Sequence, residues 1–188
     1  MEAFLISITT IATAEMGDRT QLLALVLAAR YRKPWPICAG VLCATLASHG
    51  VAALIGASLG GSLRPALLDA AVGVSMIAMS LWTLKPDELD RTAVPGSSAG
   101  AFAATLIAFF VAEIGDKTQI ATFALAAAYR NLPAVIGGTT CGMLIANVPV
   151  VFLGNAFAHR LPLRAIHYAA SALFAVVGVI FVVRALRN

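Results

Sequence analysis

The sequence predicts an all-α integral membrane protein of six transmembrane helices, arranged as two inverted three-helix repeats. Three observations carry that reading: a composition too apolar for a water-facing domain, six apolar runs near spanning length, and a stretch of chain written twice. Of 188 residues, 60% are hydrophobic and 12% charged, and the mean hydropathy is +0.90. A water-soluble domain carries about 25% charged residues.

Apolar runs long enough to cross a bilayer cover 3–29, 35–61, 66–84, 101–129, 133–157 and 165–186. One membrane domain over 1–188 fits this pattern, with no room for a separate nucleotide-binding or sensor domain. The first run contains Ala12-Thr13-Ala14, similar to a small-residue cleavage site, but the residues before it carry Glu2 and no Lys or Arg. A secretory leader needs a basic start, so the run is expected to stay as a mature helix.

Sliding the chain by 98 residues superposes its two halves. Between 14–34 and 112–132, eleven positions agree: Ala14, Glu15, Gly17, Asp18, Thr20, Gln21, Leu27, Ala28, Ala29, Tyr31 and Arg32. Gly40, Cys43 and Gly56 meet Gly138, Cys141 and Gly154 in the same register. Self-similarity at a fixed offset is a repeat signature. The polar stretch 85–99, KPDELDRTAVPGSSA, then joins repeat 1 (about 1–84) to repeat 2 (about 100–188). Three crossings per repeat is an odd number, so the second must enter the membrane from the opposite side.

Loop charges set an expected orientation. Arg30, Arg32, Lys33, Lys85, Arg91, Arg160 and Arg164 fall on one side, and Arg64, Arg130, Arg184 and Arg187 on the other. The excess of Lys and Arg marks the cytoplasmic side. The linker is therefore expected in the cytoplasm, with both termini outside. The net charge of +4 needs no further explanation, and a nucleic-acid partner has nothing behind it. Cys38, Cys43 and Cys141 form no C-x-x-C pair, which excludes a zinc-ligand spacing and a disulfide framework.

Against this apolar background, AEMGDRTQ at 14–21 and AEIGDKTQ at 112–119 stand out. Glu15 and Glu113 lie near the middle of the first and fourth runs. Read as continuous helices, these runs put Glu15 with Asp18, and Glu113 with Asp116, on shared i,i+3 faces. An acid or base at a helix centre opposes insertion by about 2.5–3.5 kcal/mol, so six sum to at least about 15 kcal/mol, comparable with the stability of a whole domain. The six must face each other or a wet cavity.

In a purely structural network, Glu15 with Arg19 and Glu113 with Lys117 would form i,i+4 ion pairs. That leaves Asp18 and Asp116 unmatched and a charge of −2 for a divalent cation to neutralise. Carboxylates, the hydroxyls of Thr20 and Thr118 and the amide oxygens of Gln21 and Gln119 are hard donors, suited to Mn²⁺, Ca²⁺ or Mg²⁺. Gly17 and Gly115 either loosen the helix between the acids or allow close helix packing.

The motif Glu-x-Gly-Asp-(Lys/Arg)-Thr, twice in a small six-helix protein, resembles the Gdt-one family of manganese and calcium transporters, whose members are similar to cation/proton antiporters. The likeness spans nearly the whole chain, and its short linker fits the bacterial members, which implies a bacterial inner membrane. It implies export of Mn²⁺, or Ca²⁺, in exchange for protons, with the ion as cargo and no cofactor. Glu15, Asp18, Glu113 and Asp116 become the expected metal ligands. Arg19 and Lys117 become internal counter-ions, Thr20, Thr118, Gln21 and Gln119 line the path, and Gly17 and Gly115 complete the motif.

His49 and Asn147 occupy matching repeat positions inside the second and fifth runs. A buried histidine is commonly satisfied by a neighbouring helix, yet this symmetric placement also suits the cavity wall, where an imidazole would favour Mn²⁺ over Ca²⁺. Gly56 and Gly60 form a G-x-x-x-G helix contact. Two rival functions are weaker. An intramembrane aspartyl protease needs two aspartates sharing a proton, which the base after each Asp opposes. A basic amino-acid exporter needs a larger, partly apolar chamber.

Overall fold

A computed structural model describes residues 1–84, 100–153 and 163–187. The linker 85–99 and the end of the fifth expected span, 154–157, lie outside these. Eight α-helices and no strand occur among the described residues: α1 Glu2–Glu15, α2 Arg19–Tyr31, α3 Pro34–Ser62, α4 Pro65–Thr83, α5 Ala101–Glu113, α6 Lys117–Tyr129, α7 Leu132–Leu153 and α8 Leu163–Arg187. Four of them (α3, α4, α7 and the part of α8 from His167) are long and apolar enough to cross a membrane.

The first and fourth expected spans differ from the continuous helices that hydropathy suggests. Each is two short helices broken inside the acidic motif, and the cause is local. Gly17 and Gly115 have φ of 81° and 72°, left-handed values that strongly favour glycine. On either side, Met16 and Ile114, then Asp18 and Asp116, are extended. Asp-x-x-Gln is a helix-start pattern, and both aspartates are the N-caps of the helices that follow. Gln21 Oε1 accepts the Gly17 N–H at 2.9 Å, and Gln119 Oε1 accepts the Gly115 N–H at 2.9 Å, so the glycine amide freed by each break is satisfied. Nothing lies within 4 Å of where a Cβ on Gly115 would sit, so chain direction, and not close packing, calls for that glycine.

Lengths follow from these breaks. The half-helices hold 13 or 14 residues, each about 20 Å long, and a bilayer core is about 30 Å thick. Each pair is enough for one crossing, and no single half is. α2 and α6 both end on a non-glycine left-handed cap, Arg32 (φ 51°) and Arg130 (φ 50°), each donating its N–H to the carbonyl four residues back. The two halves therefore repeat in backbone detail as well as in residue type.

The helices pack as a crossed set. α1 lies on α7, α5 and α6 on α3, α2 on both α7 and α5, and α4 on α8. The G-x-x-x-G pair does make a helix contact: a Cβ on Gly56 or Gly60 would overlap the Phe123 or Ala127 carbonyl of α6. The outer surface is apolar, with Val51, Leu54 and Ile55 of α3 and Leu67, Val74 and Leu81 of α4 exposed. The polar side chains lie inside: Thr10, Glu15, Asp18, Thr20, Thr45, Ser48, His49, Glu113, Asp116, Lys117 and Thr118 are all buried. That inversion suits lipid as the solvent.

Replacing Gly17 or Gly115 by Ala should lower stability by about 1–2 kcal/mol per site, the penalty of a left-handed L-residue, while Asn should lose less. Thermal unfolding of the three forms in detergent checks this. Equal stability of all three would mean that the breaks are not held in this conformation.

Candidate metal centre

The breaks decide where each charge points. Glu15 closes α1 and Glu113 closes α5, whereas Asp18 and Asp116 cap the next helices and Arg19 and Lys117 begin them. The i,i+3 face expected of Glu and Asp needs one continuous helix, which the break removes. The same holds for the expected i,i+4 pairs Glu15–Arg19 and Glu113–Lys117. The bases instead reach across between halves. Arg19 lies 2.8 Å from Asp116 Oδ1, and Lys117 lies 2.8 Å from Asp18 Oδ1. Arg19 also donates to the Ala112 carbonyl at 2.8 Å. The aspartates, expected to be unmatched, thus hold the cations.

The glutamates take hydroxyls. Thr20 donates to Glu15 Oε2, and Thr45 of α3 donates to Glu113 Oε1 at 2.8 Å. Thr118 serves Asp116 Oδ2 twice, through its hydroxyl at 3.0 Å and its N–H at 3.3 Å. Both glutamates keep one buried oxygen without a hydrogen-bond partner, Oε1 of Glu15 and Oε2 of Glu113.

Three of the four expected ligands come together. Glu15, Asp18 and Asp116, all buried, each offer an oxygen, and these three atoms lie within 4.8 Å of one another. Oxygens around one Ca²⁺ or Mn²⁺ ion, bound at about 2.1–2.5 Å, fall within that range. Glu113 lies outside this group, on α5 facing α3, where His49 Nε2 is 3.9 Å from its Oε2. Asn147 is buried but turns its amide back to Met143, donating to the carbonyl and the sulfur at 3.0 Å.

The glutamines brace the breaks and tie them to the long helices: Gln21 Nε2 donates to Ala146 O at 2.8 Å and Gln119 Nε2 to Ser48 Oγ at 3.0 Å. Gln119 also lines a cleft of about 360 Å³ with Val51, Ala52, Ile55, Ile120 and Phe123.

Sequence reasoning missed Thr45 and Ser48. The signal was present: with His49 they stand at i, i+3 and i+4 of one helix, a polar face inside an apolar span.

The family described as "Divalent cation/proton antiporter GDT1" matches residues 3–91 and 101–188. A Vibrio cholerae protein named "Putative manganese exporter" is 51% identical over 175 residues, covering 93% of this chain and 87% of that protein. A GDT1-like protein of Synechocystis sp. is 26% identical, covering 96% of each chain. Protein PAM71, chloroplastic, of Arabidopsis thaliana is 30% identical over 90% of this chain and 53% of its own length. No solved structure matches.

Cross-pairing has a specific energetic signature. Lys117→Met removes the 2.8 Å ion pair of buried Asp18 and should destabilise the protein by about 3–5 kcal/mol. Adding Asp18→Asn should recover most of that loss, whereas adding Glu113→Gln should not. The Arg19 side chain is 35% exposed against 2% for Lys117, so Arg19→Met should cost less. A double-mutant cycle by thermal unfolding reads the coupling. Coupling of Lys117 to Glu113 in place of Asp18 would contradict the pairing.

Proposed function

Because the chain belongs to the GDT1 divalent cation/proton antiporter family, we propose that its buried carboxylates are used in turn by a divalent cation and by protons. The cargo is Mn²⁺, exported from the cell. The observation that carries this is the meeting of Glu15, Asp18 and Asp116 oxygens within 4.8 Å while both bases are drawn onto aspartates of the opposite motif. A cluster so tight suits a bare ion, and none of its three acids lines the 360 Å³ cleft beside Gln119. The relative named for manganese supports that choice of cargo.

Charge arithmetic supplies the coupling. Glu15, Asp18, Glu113 and Asp116 with Arg19 and Lys117 sum to −2 when all are ionised. One divalent ion brings the sum to zero, and so do two protons. Crossing a low-dielectric interior with net charge is costly, so only the loaded forms exchange between the two faces of the membrane. Exchange, rather than leak, follows from that restriction.

The architecture serves the same end. We read α1 with α2, and α5 with α6, as interrupted spans, giving six crossings in two inverted repeats, 1–84 and 100–188, joined by the linker 85–99. Interrupted helices at a repeat interface are where secondary transporters place their ions. The excess of loop Lys and Arg supports a cytoplasmic linker with both termini outside, in a bacterial inner membrane.

In proteoliposomes, Mn²⁺ movement should follow an imposed pH gradient and return roughly two protons per ion, with little response to voltage. Glu15→Gln and Glu113→Gln should abolish exchange, and cells carrying them should lose manganese tolerance while keeping the protein in the membrane. Equal Mn²⁺ flux without a proton gradient, and no acidification of the opposite compartment, would overturn the coupling.

A further inference from the structure

Outside the three-oxygen cluster, one buried pair has no structural explanation. His49 is fully buried, and neither ring nitrogen has a hydrogen-bond partner. Its Nε2 lies 3.9 Å from Oε2 of Glu113, the oxygen of that carboxylate which also lacks a partner. A buried polar group left unsatisfied loses about 1–3 kcal/mol. A histidine kept only for packing would turn a nitrogen toward a carbonyl or hydroxyl.

The surroundings hold this arrangement in place. Thr45 and His49 stand one turn apart on the same face of α3. Thr45 ties down Oε1 of Glu113, which leaves Oε2 directed at the ring. Two donors on one ion of this size lie about 3.0–4.4 Å apart, according to the angle between them. The observed separation falls inside that range and is too long for a hydrogen bond.

We propose that His49 is a ligand of the transported ion, forming with Glu113 a nitrogen-bearing station that separates transition-metal dications from Ca²⁺ and Mg²⁺. The proposal rests on the carboxylate reading above and adds the selectivity that an all-oxygen cluster lacks. Imidazole binds first-row metals in the order Mn²⁺ < Fe²⁺ < Co²⁺, whereas Ca²⁺ and Mg²⁺ prefer oxygen. The nitrogen therefore raises Mn²⁺ above Ca²⁺ without favouring it over Co²⁺. The repeat-matched position on α7 is Asn147, whose Oδ1 is likewise buried without a partner. The nitrogen is thus present in one half only, and the two halves of the ion path differ in chemistry.

Pulsed electron paramagnetic resonance of Mn²⁺ bound to the full chain in detergent reads the ligand directly. Wild type should show modulation from a coordinated ¹⁴N that changes to the ¹⁵N pattern on ¹⁵N-histidine labelling and vanishes in His49→Gln. The same variant should bind Mn²⁺ roughly tenfold more weakly, Co²⁺ more weakly still, and Ca²⁺ nearly as before. Should His49→Gln fail to fold, the modulation must survive in both His159→Gln and His167→Gln, the other two histidines of the chain. Bound Mn²⁺ with no nitrogen modulation would overturn the role of His49 while leaving the carboxylate site standing. Modulation persisting in His49→Gln would do the same. Absence of any Mn²⁺ binding to wild type would overturn both.

Discussion

Two reciprocal ion pairs govern the interior. Arg19 of one motif holds Asp116 of the other, and Lys117 holds Asp18, each at 2.8 Å. Neither pair can form unless the two motifs meet, so the burial of charge and the joining of the halves are one event. A charge left alone in hydrocarbon opposes insertion by several kcal/mol, which makes the separated halves far worse than the joined ones. The pairs also draw both bases onto aspartates, while hydroxyls serve the glutamates, among them Thr20 at Glu15 and Thr45 at Glu113. On the proposed reading, the site is charged enough to attract a dication and neutral enough, once loaded, to move.

The helix breaks are what allow this crossing. In a continuous helix, Arg19 would stand one turn from Glu15 on the same face and would neutralise it locally. The left-handed Gly17 and the cap at Asp18 send the base toward the other half. Gln21 and Gln119 then do two jobs with one amide each, satisfying the freed glycine N–H and anchoring the break to α7 or α3. A short motif of Glu, Gly, Asp, base, Thr and Gln can be read as a set of instructions for one backbone turn and one ionic exchange.

Much of this was legible in the sequence, and the failures have a common origin. Hydropathy found α3, α4 and α8 to within a residue or two at each end, and the start of α7 as closely, because lipid imposes length and apolarity. The repeat offset placed the two motifs and matched His49 to Asn147. Hydropathy could not see the breaks, since it averages over windows wider than Met16-Gly17-Asp18. The Asp-x-x-Gln helix-start signal was present in both motifs and would have marked them. Assuming continuous helices then misassigned the ion pairs, and with them which acids hold the bases. Thr45 and Ser48 escaped because a lone hydroxyl in an apolar span commonly bonds its own backbone. Only the approach of α5 and α6 to α3 turns them toward Glu113 and Gln119.

The central proposal is that the same carboxylates hold either the metal or the protons. Proton release on metal binding tests it without a membrane. Titrating Mn²⁺ into detergent-solubilised protein, by calorimetry in buffers of different ionisation enthalpy, counts the protons displaced. Release of about two protons per ion bound at neutral pH, falling in Glu15→Gln, is the expected result. Tight Mn²⁺ binding with no proton released would contradict the claim, because ion and protons would then occupy separate places.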